Sequence, residues 1–275
     1  MYLWGSEGLA EAGYMVMTFQ IPEPDNAESS YHYSDSLNAL CWFLATPDAP
    51  TKQRQYNPLW KQLDHSRIGM AGHSAGGVAV SRLGQEDSRV KAVVSWDRAQ
   101  STELPTWIPL KTPELFITAD FNCQKVPVCV PQPYTSPPDP FGPGNKDNDF
   151  RRLRKAGVDT EKISLRAATH LDFTQFGVGT GSCYGAAVAF YYTLAWFDRY
   201  LKGSAKAEQR LIATRFDRSG DVHNISGGVW DPGTNANIPA FIGGQPVANR
   251  LSFHFRSAYW LDGGALACED MRAGC

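Results

Sequence analysis

The chain has 275 residues, 43% of them hydrophobic and 12% aromatic, which is enough for one large α/β domain or two small ones around a sizeable core. Its 26 basic and 28 acidic residues leave a net charge of −2, which argues against a protein built to neutralise nucleic-acid phosphates, and no block of like charge marks an anionic membrane surface. No apolar run approaches the roughly 18 residues of a membrane span, and Met1-Tyr2-Leu3-Trp4-Gly5 lacks the basic start and apolar core of a secretory leader.

In chain order, residues 3–12 read as a short helix ending at Gly13. The compact apolar run Tyr14 to Gln20 predicts a buried strand, and Pro22 and Pro24 make Ile21 to Ser29 a loop. Ser30 to Ala45 predicts a helix with Leu37, Leu40, Cys41 and Leu44 on one face, followed by a polar excursion from Thr46 to His65. Strands are expected at Arg67–Ala71, Val90–Trp96, Glu114–Thr118 and Lys162–Arg166. A helix running to about Leu83, a short basic helix Phe150–Ala156 and an apolar helix Cys183–Leu201 lie between and after them. Cys123 to Asp149 carries seven prolines and reads as a long loop. Alternating strands and helices imply a mostly parallel α/β sheet covered on both faces. Residues 204–275 are rich in Gly, Asn and Asp, with one strand-like run at Arg250–Phe255. They read as a C-terminal extension packed on an α/β domain of residues 1–203.

The six cysteines form two close pairs, Cys123/Cys129 and Cys268/Cys275, with Cys41 and Cys183 left to pair or stay reduced. An even count so spaced suggests disulfides and a secreted or extracytoplasmic protein. The spacings fit no zinc pattern, and no metal or organic cofactor is expected.

Gly72-His73-Ser74-Ala75-Gly76-Gly77 contains Gly-x-Ser-x-Gly between a strand and a helix, the context that gives this motif meaning. The turn would strain the Ser74 backbone and raise its hydroxyl at the helix N-terminus, where free N–H groups favour developing negative charge. The Ala75 N–H is the expected oxyanion donor. A serine nucleophile needs a base, and the base needs an orienting acid. His73 is too close to Ser74 in a tight turn and reads as structural. His170, just past a strand's carboxyl end, is the expected base. Asp97 and Asp120 each end a strand, and either could be the acid.

These residues resemble an α/β-hydrolase of the platelet-activating-factor acetylhydrolase (type II) and dienelactone-hydrolase-like group, from about Leu3 to Gly203. The likeness rests on the elbow, on Glu86-Asp87-Ser88-Arg89 and Val93-Val94-Ser95-Trp96-Asp97, and on Pro113-Glu114-Leu115-Phe116-Ile117. It continues in Ala168-Thr169-His170-Leu171-Asp172-Phe173 and Phe197-Asp198-Arg199-Tyr200-Leu201-Lys202-Gly203. The resemblance implies a Ser74–His170–Asp97 triad and hydrolysis of short-acyl or lipid-like esters through an acyl-enzyme. Cutinase-like polyesterases, a related alternative, carry the acid later, at a position that falls on Asn122. They often have a tryptophan near the cleft, for which Trp96 is the candidate, with a core role as the other reading. The family also implies an earlier loop with a second oxyanion donor, and a strand between Tyr14–Gln20 and Arg67–Ala71. Neither is visible in the sequence. The chain is therefore expected to be N-terminally incomplete, unless Arg250–Phe255 fills that gap. A non-catalytic binding protein on the same scaffold is the competing class.

Overall fold

The computed structural model describes residues 2–19, 30–98, 104–119, 121–123, 131–133, 149–165, 170–174, 183–211, 228–231, 236–239, 241–242, 245–246, 251–257 and 266–267. Helix α1 (Leu3–Glu11) buries Gly5 and Leu9 one turn apart. It stops at Gly13, whose φ of +85° suits a residue without Cβ. The Gly13 and Tyr14 N–H groups donate back to the carbonyls of Ala10 and Leu9, closing the helix end. Helix α2 (Ser30–Phe43) leads to a 3-10 turn at Trp60–Gln62. Then come β1 (Ile68–His73), α3 (Ala75–Glu86), β2 (Val90–Trp96), β3 (Glu114–Ala119) and the small β4 (Phe121–Cys123) and β5 (Pro131–Pro133). Helix α4 (Phe150–Lys155), β6 (Thr160–Leu165), a 3-10 turn at His170–Phe173, α5 (Cys183–Tyr200) and α6 (Lys206–Leu211) follow. The last part holds β7 (Gly228–Asp231), β8 (Ala236–Pro239), β9 (Phe241–Ile242), β10 (Gln245–Pro246), β11 (Leu251–Ser257) and β12 (Leu266–Ala267).

The main sheet has the order β1-β2-β3-β6-β11-β12. Its first four strands are parallel, and β11 joins β6 antiparallel. Side chains of β3 alternate between faces. Leu115, Ile117 and Ala119 enter one core with Val188, Ala189, Tyr192, Ala195 and Trp196, whose spacing marks one helical face of α5. Phe116 enters another core with Phe150 and Leu153 of α4. Leu40 and Leu44 pack with Val80 and Leu83 of α3 over Ile68 and Val93. The expected α/β class with helices on both faces is thus observed. No helix among the described residues is long and apolar enough to cross a membrane.

Four expectations need correction or limit. Residues 14–19 form no strand: a strand exists only where its backbone is paired, and no described strand lies beside them, so the run is half-buried to exposed. The strand of the C-terminal region does not fill the gap next to β1. It adds to β6, at the opposite side of the sheet. Cys41 leaves the apolar face. Leu37, Leu40 and Leu44 hold the seam, and one residue further round the helix the thiol is exposed and free, accepting an Arg89 N–H at 3.7 Å. Most of Cys123–Asp149 lies outside the described residues, as do the side chains of the other five cysteines.

Candidate active site

Strand β1 ends at His73, and α3 begins at Ala75, leaving Ser74 alone to make the turn. Its φ of 57° and ψ of −122° are a costly conformation for a residue with a Cβ. Close approach enforces it. A Cβ on Gly72 would stand 2.4 Å from the Gly76 carbonyl oxygen, so only glycine lets strand and helix meet here. Gly76 itself has open space around its Cβ position; the second tight glycine is Gly77, which faces the Gly72 carbonyl and Arg98. The Ser74 N–H donates to the Trp96 carbonyl at 3.0 Å, tying the elbow to the end of β2.

The structure brings Ser74, His170 and Asp97 together. His170 Nδ1–H donates to Asp97 Oδ2 at 2.5 Å, and the Ser74 hydroxyl donates to His170 Nε2 at 2.9 Å. Asp97 is fully buried and the His170 side chain is 16% exposed. The second Asp97 oxygen accepts the Ala119 N–H at 2.8 Å, and its own N–H donates to Ile117. Both carboxylate oxygens are therefore committed, which fixes the acid's orientation. Asp97 takes a positive φ of 40°, so two of the three non-glycine residues with positive φ among the described residues belong to this site. Asp120, the alternative acid, lies outside the described residues, and so do the side chain of Asn122 and residues 166–169 before His170.

Ala75 opens α3, so its N–H has no acceptor within the helix and stands beside Ser74. Trp96 is 5% exposed. Its indole N–H donates to Thr193 at 2.9 Å, and its ring packs against Tyr2 and Trp4, so it is packed into the core while also reaching the wall of the groove beside Ser74. His73 ties to two groups: Tyr2 Oη lies 2.8 Å from its Nδ1, and its Nε2 lies 2.9 Å from the His170 carbonyl oxygen. One ligand atom each from His73, Asp97 and His170 lies within 4.8 Å of the others, close enough for a cation, although the hydrogen bonds just described already engage them.

Beyond Asp97 the chain is pinned by ions. Arg98 pairs with Asp149 at 2.9 Å with both side chains fully buried, and Arg152 and the Leu104 N–H bind the same carboxylate. Glu114, also fully buried, is bonded to Ser81 of α3, and burial pushes its carboxyl up to about 7. Neither cluster is legible in the sequence: Ser81 and Glu114 are 33 positions apart, Arg98 and Asp149 are 51 apart, and no motif joins them. A groove of about 750 Å³ opens beside Ser74, between residues 14–19 and the outer edge of β1, with Met15, Met17, Met70 and Val80 in its walls.

No protein-family model matches this chain, and no curated protein matches it either.

Proposed function

We propose that the chain is a serine hydrolase of carboxylic esters on an α/β-hydrolase fold. The observation that carries the reading is the unbroken hydrogen-bonded run Ser74–His170–Asp97 on a strained strand-to-helix turn. Each group has one chemical part in it. Ser74 Oγ attacks the acyl carbon while His170 Nε2 takes its proton. Asp97 holds Nδ1–H and stabilises the imidazolium. The Ala75 N–H donates to the oxyanion. The tetrahedral centre collapses, His170 returns the proton to the leaving alcohol, and an acyl-enzyme remains. Water, deprotonated by His170, then releases the acid and restores Ser74.

Short-acyl or lipid-like esters are the substrates that the family likeness implies, and the groove along the open edge of β1 lies where that likeness expects a further strand. An extracytoplasmic location is part of the proposal, and with Cys41 free it predicts bonds within the two close cysteine pairs. The test is hydrolysis of p-nitrophenyl acetate, butyrate and decanoate by the chain and by Ser74→Ala. Activity that disappears in the variant supports the reading, and the chain-length profile sizes the acyl site. Equal rates in the two proteins would remove it, leaving a binding protein on a hydrolase scaffold.

A further inference from the structure

We infer that His73 is a positioning residue for the general base, held neutral and in a single tautomer by Tyr2. The inference rests on the serine-hydrolase reading and extends it from three residues to five. The His170 carbonyl can only accept. Since His73 Nε2 lies 2.9 Å from it, Nε2 carries the proton. On the neutral ring Nδ1 is then bare and can only accept, and Tyr2 Oη, 2.8 Å away, is the donor. Burial pushes the Tyr2 hydroxyl up to about 12, so it keeps its proton at neutral pH. With the ring neutral, as inferred, Tyr2 donates to His73, and His73 donates to the backbone of His170.

Two consequences bear on the chemistry. First, the His170 ring must span Asp97 and Ser74 at once, and its own main chain sits at the start of a 3-10 turn. A hydrogen bond to its carbonyl fixes the base from the backbone side, where neither Asp97 nor Ser74 can. Phe173 of the same turn stacks on the His73 ring with centroids 5.7 Å apart, and Trp4 donates to the Phe173 carbonyl at 3.1 Å. Second, the His73 and His170 rings are 4.4 Å apart. When Ser74 attacks, His170 becomes a cation. A protonated His73 at that distance would oppose it, so the neutral ring is the productive one. The titratable groups that face His73 include Tyr2 before α1, His170 in its 3-10 turn and Asp97 at the end of β2.

The test uses the full chain and the variants His73→Leu, His73→Gln and Tyr2→Phe. The readouts are the rate at which a fluorophosphonate labels Ser74, kcat and KM for p-nitrophenyl acetate, and the pH profile of kcat/KM. Removing the donor in His73→Leu is expected to lower kcat and the labelling rate about 100-fold with KM unchanged. His73→Gln, whose amide N–H can reach the same carbonyl, is expected to regain most of that loss. In Tyr2→Phe the neutral ring loses its donor, so His73 protonates at higher pH and the acid limb of kcat/KM moves upward. Adding His73→Gln to Tyr2→Phe abolishes that movement. Wild-type labelling in His73→Leu overturns the positioning role, as does a Gln variant no faster than the Leu variant. If His73→Leu does not fold, the acid limb in Tyr2→Phe decides: unmoved, it overturns the inference. Absence of labelling in the wild-type chain overturns the hydrolase reading itself, and the positioning role with it.

Discussion

The strand that carries Ser74 and the strands deep in the sheet are held by different means. Every residue of β3 and β6 is buried, and both strands are hydrogen-bonded on each side. On β1 only Ile68 is buried, the rest is half-exposed, and one long side faces the groove, with no strand beside it among the described residues. Apolar packing therefore secures the middle of the sheet. The Ser74 end of β1 is secured instead by contacts of backbone and polar atoms: the Gly72–Gly76 approach, the Ser74–Trp96 bond and the two histidines. The difference teaches that changes at β1 should be read in rate, and changes at β3 in stability.

Four substitutions test this division. The largest expected effect is on rate. Ser74→Ala should cost about 10⁶-fold in kcat/KM and Asp97→Asn about 10⁴-fold, measured with p-nitrophenyl esters, with the unfolding midpoint of Ser74→Ala nearly unchanged. Next comes stability. Leu115→Ala in β3 should lose about 2–5 kcal/mol in urea unfolding, whereas Met17→Ala beside the groove should lose less than about 1 kcal/mol. Equal losses would break the comparison.

The elbow sharpens it further. Gly72→Ala forces a methyl group to within 2.4 Å of a carbonyl oxygen and should cost about 1–3 kcal/mol together with activity. Gly76→Ala meets nothing and should change stability by less than about 0.5 kcal/mol. The last effect is a slope with pH. With burial holding its carboxyl near 7 against an ordinary value of 4.5, Glu114 keeps a proton in the native state that the unfolded chain has already released. Stability should therefore fall as pH rises from about 4.5 to about 7, by at most about 1.4 kcal/mol per pH unit, and level off above. Urea midpoints at several pH values should show the slope in the wild type and a flatter line in Glu114→Gln.

The central strands and their helices were legible because continuous apolar runs and helical spacing coincide there. Val90–Trp96 has the same bounds in sequence and structure, and Glu114–Ala119 differs by one residue. The Ser74 turn and the proximity of His170 were legible because each stands at the carboxyl end of a strand. Asp97 needed the family likeness, since spacing alone left it level with Asp120. Residues 14–19 misled because their apolar character matches a buried strand, while a strand also needs a partner that local pattern does not reveal. The Tyr2–His73 contact joins positions 71 apart, and only the folded chain brings them into register.

The positive φ values at Ser74 and Asp97 have a consequence for how this sequence can change. Both positions would be more comfortable as glycine, the residue that adopts such angles without penalty. At Ser74, selection for a sturdier fold alone would therefore drift toward Ser74→Gly, whereas Asp97→Gly would orphan the buried Ala119 N–H and lose more than the backbone gains. A library screened for heat resistance without an ester assay should enrich Ser74→Gly, and one screened for both should reject it.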